Sequence, residues 1–360
     1  MHIPDGYLSP STCATLYAAA IAGWYAALKR LKRFLLSRVV PLISVFAAFA
    51  FVVMMFNLPL PGGTTGHAVG VTIAAVVLGP SGAILAISIA LAIQALFFGD
   101  GGITTLGANC FNMAIVGSLV AYASYRVIAA GSHIASKRRV AAAAIAGYVA
   151  VNAAALVAAV EFGIQPLLFH DAAGTPLYAP YRFSVALPAM MIGHLTFAGL
   201  AEAVISAGLV AYLQVADPSL LRSTCGIPAG SEEPPLATPA QSDSQRRLWL
   251  VVALLMLLTP LGILAAGSAW SEFSPSEFAN TGPKAQIAAA ANVPRETTPS
   301  GMQRLANLWT APFPAYAPSF VKSAGFGYLL SAMFGVGFLL ALSLLAQRYL
   351  ERRRATRYSG

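Results

Sequence analysis

A chain of 360 residues with 58% hydrophobic and only 10% charged side chains, at a mean hydropathy of +0.71, does not have the composition of a soluble protein. Its apolar runs are long enough for helices to cross a bilayer, where every backbone polar group must be satisfied inside the segment. The net charge of +9 is concentrated between those runs, so it reports orientation in a membrane and excludes a nucleic-acid partner.

Met1 and His2 open the chain with no basic, apolar signal region behind them, and no leader is expected ahead of them. Nine spans are predicted, near residues 12–28, 39–57, 68–79, 81–98, 105–130, 140–161, 184–214, 248–267 and 323–347. The third is short for a bilayer and ends at the helix-breaking sequence Gly79-Pro80-Ser81-Gly82, so spans three and four read as a tight hairpin. Basic clusters follow the first span (Lys29, Arg30, Lys32, Arg33, Arg38), the fifth (Lys137, Arg138, Arg139), the seventh (Arg222, Arg246, Arg247) and the ninth (Arg348, Arg352, Arg353, Arg354, Arg357). All four then fall on one side, which the positive-inside rule makes cytoplasmic; the C-terminus lies there and the N-terminus outside.

Residues 217–247, rich in Pro, Ser, Glu and Gln, read as a flexible cytoplasmic linker. It divides a seven-span module, residues 1–216, from a two-span accessory hairpin, residues 248–360. The expected fold is therefore an all-α polytopic membrane protein, a seven-helix bundle plus a two-helix transmembrane hairpin. The hairpin's long external loop, with Trp270, Glu272, Glu277 and Trp309, carries no strong motif.

A free Met1 amine forms a five-membered chelate ring through the His2 backbone nitrogen, and a six-membered ring closes through the His2 imidazole. Those three nitrogens lie in one plane, and a divalent metal that favours square-planar nitrogen coordination needs one further imidazole. His67 is the leading candidate, because the loop Pro59, Pro61, Gly62, Gly63, Thr64, Thr65, Gly66, His67 falls on the same external side as the N-terminus. Taken alone, an N-terminal His is more often a solvated side chain. The glycine-rich loop equally suits a simple interhelical turn or a segment that approaches another closely.

A second external turn, Gly99-Asp100-Gly101-Gly102, adds Asp100 to the neighbourhood and leads to Asn109 and Asn112, three apart on one helix face. These amides would either orient a ligand imidazole from outside the coordination sphere or join helix to helix. His194 and Glu202 share a face of the seventh span, two turns apart. An intramembrane carboxylate is costly and so a functional suspect, although Glu202 suits helix packing or partner docking as readily as ion passage, and neither residue is expected to ligate directly. His133, His170 and Asp171 read as solvated, with His170 on the external side. Cys13, Cys110 and Cys225 are too scattered for a disulfide framework or a CxxC site. No GxxxxGK[ST], HExxH or GxSxG is present, against ATP hydrolysis by that route, a zinc protease or an α/β-hydrolase.

The stretches Met1-His2-Ile3-Pro4-Asp5-Gly6, Leu8-Ser9-Pro10, Gly62 to His67 and Gly107-Ala108-Asn109 resemble the CbiM/NikM family, the substrate-binding (S) components of cobalt and nickel transporters of the energy-coupling factor class. The resemblance covers residues 1–215, and the hairpin after the linker resembles, mainly in topology, the two-span accessory subunit of the same systems. It implies six core helices plus one N-terminal addition. It also implies a planar nitrogen set from the Met1 amine, the His2 amide and imidazole, and the His67 imidazole. The transported substrate it implies is Ni2+ or Co2+, with no organic cofactor. A transmembrane coupling (T) protein and two cytoplasmic ATPase subunits are the implied partners in a bacterial or archaeal cytoplasmic membrane. Pro4-Asp5-Gly6 resembles the nickel branch more than the cobalt branch, and low-spin nickel gains most from a square plane containing a deprotonated amide, although copper would bind such a site at least as tightly. The competing readings are a membrane metalloenzyme using His194, Glu202 or His170, and a structural or sensory subunit.

Overall fold

In the computed structural model the described residues are 1–31, 36–60, 64–224, 239–264, 280–282, 285 and 299–358. Lys32, Arg33, Gly62, Gly63, most of the linker with Cys225, and Trp270, Glu272 and Glu277 lie outside them.

Residues 1–9 run buried across one end of the bundle before α1 (Pro10–Leu31) begins. Ser9 caps that helix, its Oγ accepting from the Thr12 N–H at 3.1 Å, and Lys29 and Arg30 sit at the end where the helix dipole favours cations. The α2 helix (Leu36–Met54) leads into a strand pair, β1 (Leu58–Leu60) and β2 (Thr64–Gly66), antiparallel with Leu58 opposite Gly66. This short hairpin is a feature the helical periodicity did not announce. Pairing satisfies backbone groups of a loop that packs against the helix bundle.

The α3 segment (Val71–Ile93) continues through a π-turn to Phe98. A straight helix of that length would hold its ends about 40 Å apart, at 1.5 Å per residue. The ends instead meet: His67, just before it, stacks on the ring of His2, and Asp100, just after it, touches the same ring. The chain therefore reverses inside the segment, at Gly79, whose backbone is left-handed and extended (φ 71, ψ 170), followed by Pro80. Spans three and four are thus the tight hairpin that the Gly-Pro-Ser-Gly sequence predicts, with a short arm of residues 71–78 and a long arm from 80 onward.

The helix α4 (Leu106–Ala129) contains a π-turn at Cys110–Val116. Next, α5 (Lys137–Leu168) is capped by Ser136 through the Arg138 N–H, and α6 (Phe183–Ala216) has Pro188 and a π-turn at His194–Ala198. After α6 come α7 (Pro239–Leu258), whose first turns lie inside the stretch 217–247 expected to be a flexible linker, the short α8 (Ser300–Leu305) and α9 (Ala324–Tyr358). Among the described residues, six segments are long and apolar enough to cross a membrane, against the nine spans expected, because the third and fourth are one bent segment and α1 and α2, which pack beside the others, are not among the six. The chain is a multi-pass helical membrane protein.

Helices α7 and α9 pack on α2. Contact is close enough that a Cβ at Gly335 would stand 2.3 Å from the Phe51 ring. Residues 299–322 return over the N-terminal end: the Met302 N–H donates to Leu177 O at 3.1 Å, the Phe313 N–H to Phe97 O at 2.9 Å, and Trp309 Nε1 to Leu96 O at 3.1 Å. Residues 299–322, Trp309 included, thus join the cover over the end where His2 and His67 meet.

Candidate metal centre

The N-terminus is drawn into the bundle by backbone contacts. Asn109 accepts from the Ile3 N–H at 2.8 Å through Oδ1 and donates through Nδ2 to Ile3 O at 3.1 Å. Thr105 Oγ1 and the Gly102 N–H also donate to that carbonyl, at 2.5 and 2.9 Å. Two residues on, Asp5 accepts from the Ile103 N–H at 3.1 Å, the Thr104 N–H at 2.7 Å and the Thr104 hydroxyl. The turn approaches so closely that a Cβ at Gly102 would lie 2.3 Å from the Asp5 nitrogen.

This clamp buries the first two residues: Met1 is 2% exposed and His2 3%, while His67 across from them is 1% exposed. The imidazoles of His2 and His67 stack with centroids 4.8 Å apart and planes inclined by 24°. Nδ1 of His67 stands 3.0 Å from Ala68 O, which selects the tautomer protonated there and leaves Nε2 with a free lone pair. That Nε2 is buried without a hydrogen-bond partner, as are Nε2 of His2 and Nε2 of His194. Burial, with the charges of His2 and the N-terminal amine, holds His67 well below the usual histidine range, so the ring is neutral and ready to ligate.

Asp100 engages the other side of His2, its Oδ1 2.9 Å from Nδ1. Its Oδ2 accepts from the Tyr316 hydroxyl at 2.6 Å, and Gln94 Nε2 donates to that hydroxyl at 2.9 Å. Burial raises the Asp100 pKa, but the charge and hydrogen bond of His2, and then the Tyr316 hydroxyl, outweigh it and leave the carboxyl below its ordinary range. Tyr316, from the segment before α9, is held with a left-handed backbone (φ 59).

Of the remaining candidates, Asn109 holds the Ile3 backbone, whereas Asn112 turns to the next helix and donates to Glu161 Oε2 at 2.7 Å. His194 is buried with Nδ1 2.7 Å from Met190 O. The Glu202 carboxylate is engaged with backbone nitrogens of the segment after His67. His170 lies in the loop between α5 and α6, its Nδ1 3.0 Å from Asp171 O. Sequence reasoning missed Asp5, Thr105, Gln94, Tyr316 and Glu161. Asp5 was legible as a carboxylate inside the opening motif; Tyr316, over two hundred residues from Asp100, carried no local signal. Among the described residues no cluster of three or more His, Cys, Asp or Glu has metal-ligand spacing.

Residues 2–220 match the family model described as the CbiM cobalt uptake substrate-specific transmembrane region. The chain is 53% identical over 343 residues to the fused nickel transport protein NikMN of Rhodobacter capsulatus, covering 95% of each chain. It is 42% identical over 281 residues to the probable fused nickel transport protein LarMN of Lactiplantibacillus plantarum, covering 77% of this chain and 79% of that protein. A crystal structure of a transition metal transporter superposes with a TM-score of 0.56 at 51% identity, covering 62% of this chain and 97% of the other.

Proposed function

Since the chain belongs to the family of CbiM cobalt uptake substrate-specific transmembrane regions, we propose that it is the metal-binding S component of an energy-coupling factor transporter, importing Ni2+ and, less favourably, Co2+. It is a transporter component and not an enzyme. The proposed ligands are the Met1 amine, the deprotonated amide and imidazole of His2, and Nε2 of His67.

The observation that carries this reading is the buried pair of imidazoles, 4.8 Å apart beside the buried Met1, with Nε2 of His67 unpartnered. The six-membered chelate ring uses Nδ1 of His2, the atom facing Asp100 in the structure. Binding therefore releases Nδ1 from the carboxylate, and stacked rings must turn so that their nitrogens converge on one ion. Once the His2 ring has turned, Asp100, held by Tyr316, would take its outer N–H, the arrangement that fixes the tautomer of metal-bound imidazoles. Nickel is preferred because the fused relatives at 53% and 42% identity are named nickel transport proteins.

In this proposal the ion enters from outside the cell, a reading supported by the basic clusters, which the positive-inside rule assigns to the side opposite Met1. Residues 1–216 form the S module and 248–360 the accessory hairpin, joined by residues 217–247, the last of which already belong to α7. Energy comes from a transmembrane coupling protein and two cytoplasmic ATPases, since the sequence carries no phosphate loop of its own. The test is nickel and cobalt binding to the purified chain, wild type against His2→Ala and His67→Ala. Loss of tight binding in both, with the fold retained, is expected. Unchanged binding in either removes that residue from the ligand set.

A further inference from the structure

The re-entrant hairpin begins inside the bundle, and its first backbone nitrogens would be orphaned there without a partner. Glu202, from the middle of α6, supplies one. Its Oε2 accepts from the Val69 and Gly70 N–H groups, each at 2.8 Å, and its Oε1 from the Thr72 N–H at 3.3 Å and the Ser206 hydroxyl at 3.4 Å. The gripped segment starts two residues after His67. Gly70 is left-handed there (φ 72), and a Cβ on it would stand 2.6 Å from the Phe49 ring, so the segment is wedged from the α2 side as well. On the next turns of α6 the π-turn His194–Ala198 packs against β2, just before His67. One helix thus holds the His67 loop on both flanks, through packing before the imidazole and hydrogen bonds after it.

We infer, building on the ligand set proposed above, that Glu202 is a positioning residue for nickel binding: its grip on Val69, Gly70 and Thr72 sets where His67 stands relative to Met1 and His2. A single helix terminus in a protein interior can be capped by a neutral side chain; a fully buried carboxylate is the costlier choice. What the charge adds is a rigid hold on three donors at once, through bonds stronger than neutral ones. A consequence follows for release. A shift of α6, when the module moves against a partner, pulls the His67 backbone directly.

The test is a double-mutant cycle on the full chain, comparing nickel Kd for wild type, Glu202→Gln, His67→Ala and the double variant, with the visible spectrum of bound nickel as a second readout. His67→Ala keeps the three-nitrogen chelate of Met1 and His2, so its weaker binding remains measurable. Glu202→Gln is expected to weaken nickel binding about 10- to 100-fold, the range for outer-shell partners of metal ligands. In the His67→Ala background it is expected to change the Kd by less than about twofold, because the residue it positions is gone. Its nickel spectrum should move toward that of His67→Ala. Equal losses in both backgrounds, or none in the wild type, would overturn the positioning role and leave the ligand set standing. If His67→Ala binds as tightly as wild type, the ligand set falls and the role of Glu202 with it. Should Glu202→Gln fail to accumulate, Glu202→Asp keeps the charge but withdraws it by a methylene, and the same cycle applies with the same two outcomes.

Discussion

Asn109→Ala tests whether docking of the N-terminus, and not merely the presence of its nitrogens, sets metal affinity. Removing the amide deletes two hydrogen bonds to Ile3, at 2.8 and 3.1 Å, in a fully buried setting. The Ile3 carbonyl keeps the Thr105 hydroxyl and the Gly102 N–H, so it stays satisfied, whereas the Ile3 N–H loses its partner. One orphaned buried donor costs about 1–3 kcal/mol. Undocked, Ile3 recovers water, so the penalty falls on the docked state alone. A central value of about 2 kcal/mol lowers the docking equilibrium constant about thirtyfold, so apparent nickel affinity falls by up to about thirtyfold, the full factor being reached where the undocked state predominates in the metal-free variant. The assay is competition titration of nickel against a chelator, on wild type, Asn109→Ala and Asn109→Asp. The aspartate accepts from the Ile3 N–H but sets its second oxygen against the Ile3 carbonyl, so it is expected to bind nickel no better than the alanine variant. An alanine variant whose N-terminus is undocked by hydrogen exchange but which binds nickel with wild-type affinity would show that the docked N-terminus is not the binding-competent state, and the reasoning would fail.

Gly102→Ala places a Cβ 2.3 Å from the Asp5 nitrogen and should part the turn from the N-terminal segment, abolishing tight nickel binding while far-UV circular dichroism stays helical; normal binding would contradict the clamp. Nickel binding should weaken as pH falls, because protons compete for the amine and amide nitrogens. His67, already neutral because its pKa lies well below the usual range, adds nothing to that slope near neutrality. Calorimetry in buffers of different ionisation enthalpy should count protons released on binding, and a pH-independent affinity with no release would remove the amide from the ligand set. One residue added ahead of Met1 moves the amine out of its five-membered ring and should stop nickel uptake; uptake that persists and still depends on His67 would exclude the amine as a ligand.

The path of the chain was legible wherever apolar length or a breaker sequence dictated it. Gly79-Pro80-Ser81-Gly82 announces a reversal because proline cannot donate to the helix ladder and glycine alone takes φ 71 without strain, and the chain turns there. Helical periodicity carried no trace of the π-turns at Cys110–Val116 and His194–Ala198 or of the β1 and β2 pairing, since each depends on what packs alongside. The same limit hid the fate of the polar side chains. Asn109 and Asn112 share a helix face, yet one meets Ile3 and the other Glu161, because the face is broad enough to touch both the N-terminal segment and α5.

His2 and His67 could be brought to one end of the bundle by counting spans against basic clusters, because orientation is a global property written in charge. Their contact depends instead on partners that no spacing rule connects: Asn109 and Asp5 holding the N-terminus, Glu202 holding the far side of His67, Tyr316 holding Asp100. Each of these hydrogen bonds joins positions close to a hundred or more apart in the chain. That dispersal has a physical reason. The proposed nitrogen set has only two side chains, too few for a chelating motif to be recognised or to form by itself, so geometry that a compact cluster would supply locally comes from restraints on backbone. The affinity of such a site then depends on contacts remote from the ion, and it is through these, α6 and the accessory residues over the N-terminal end among them, that a moving partner can reach the ligands without touching them.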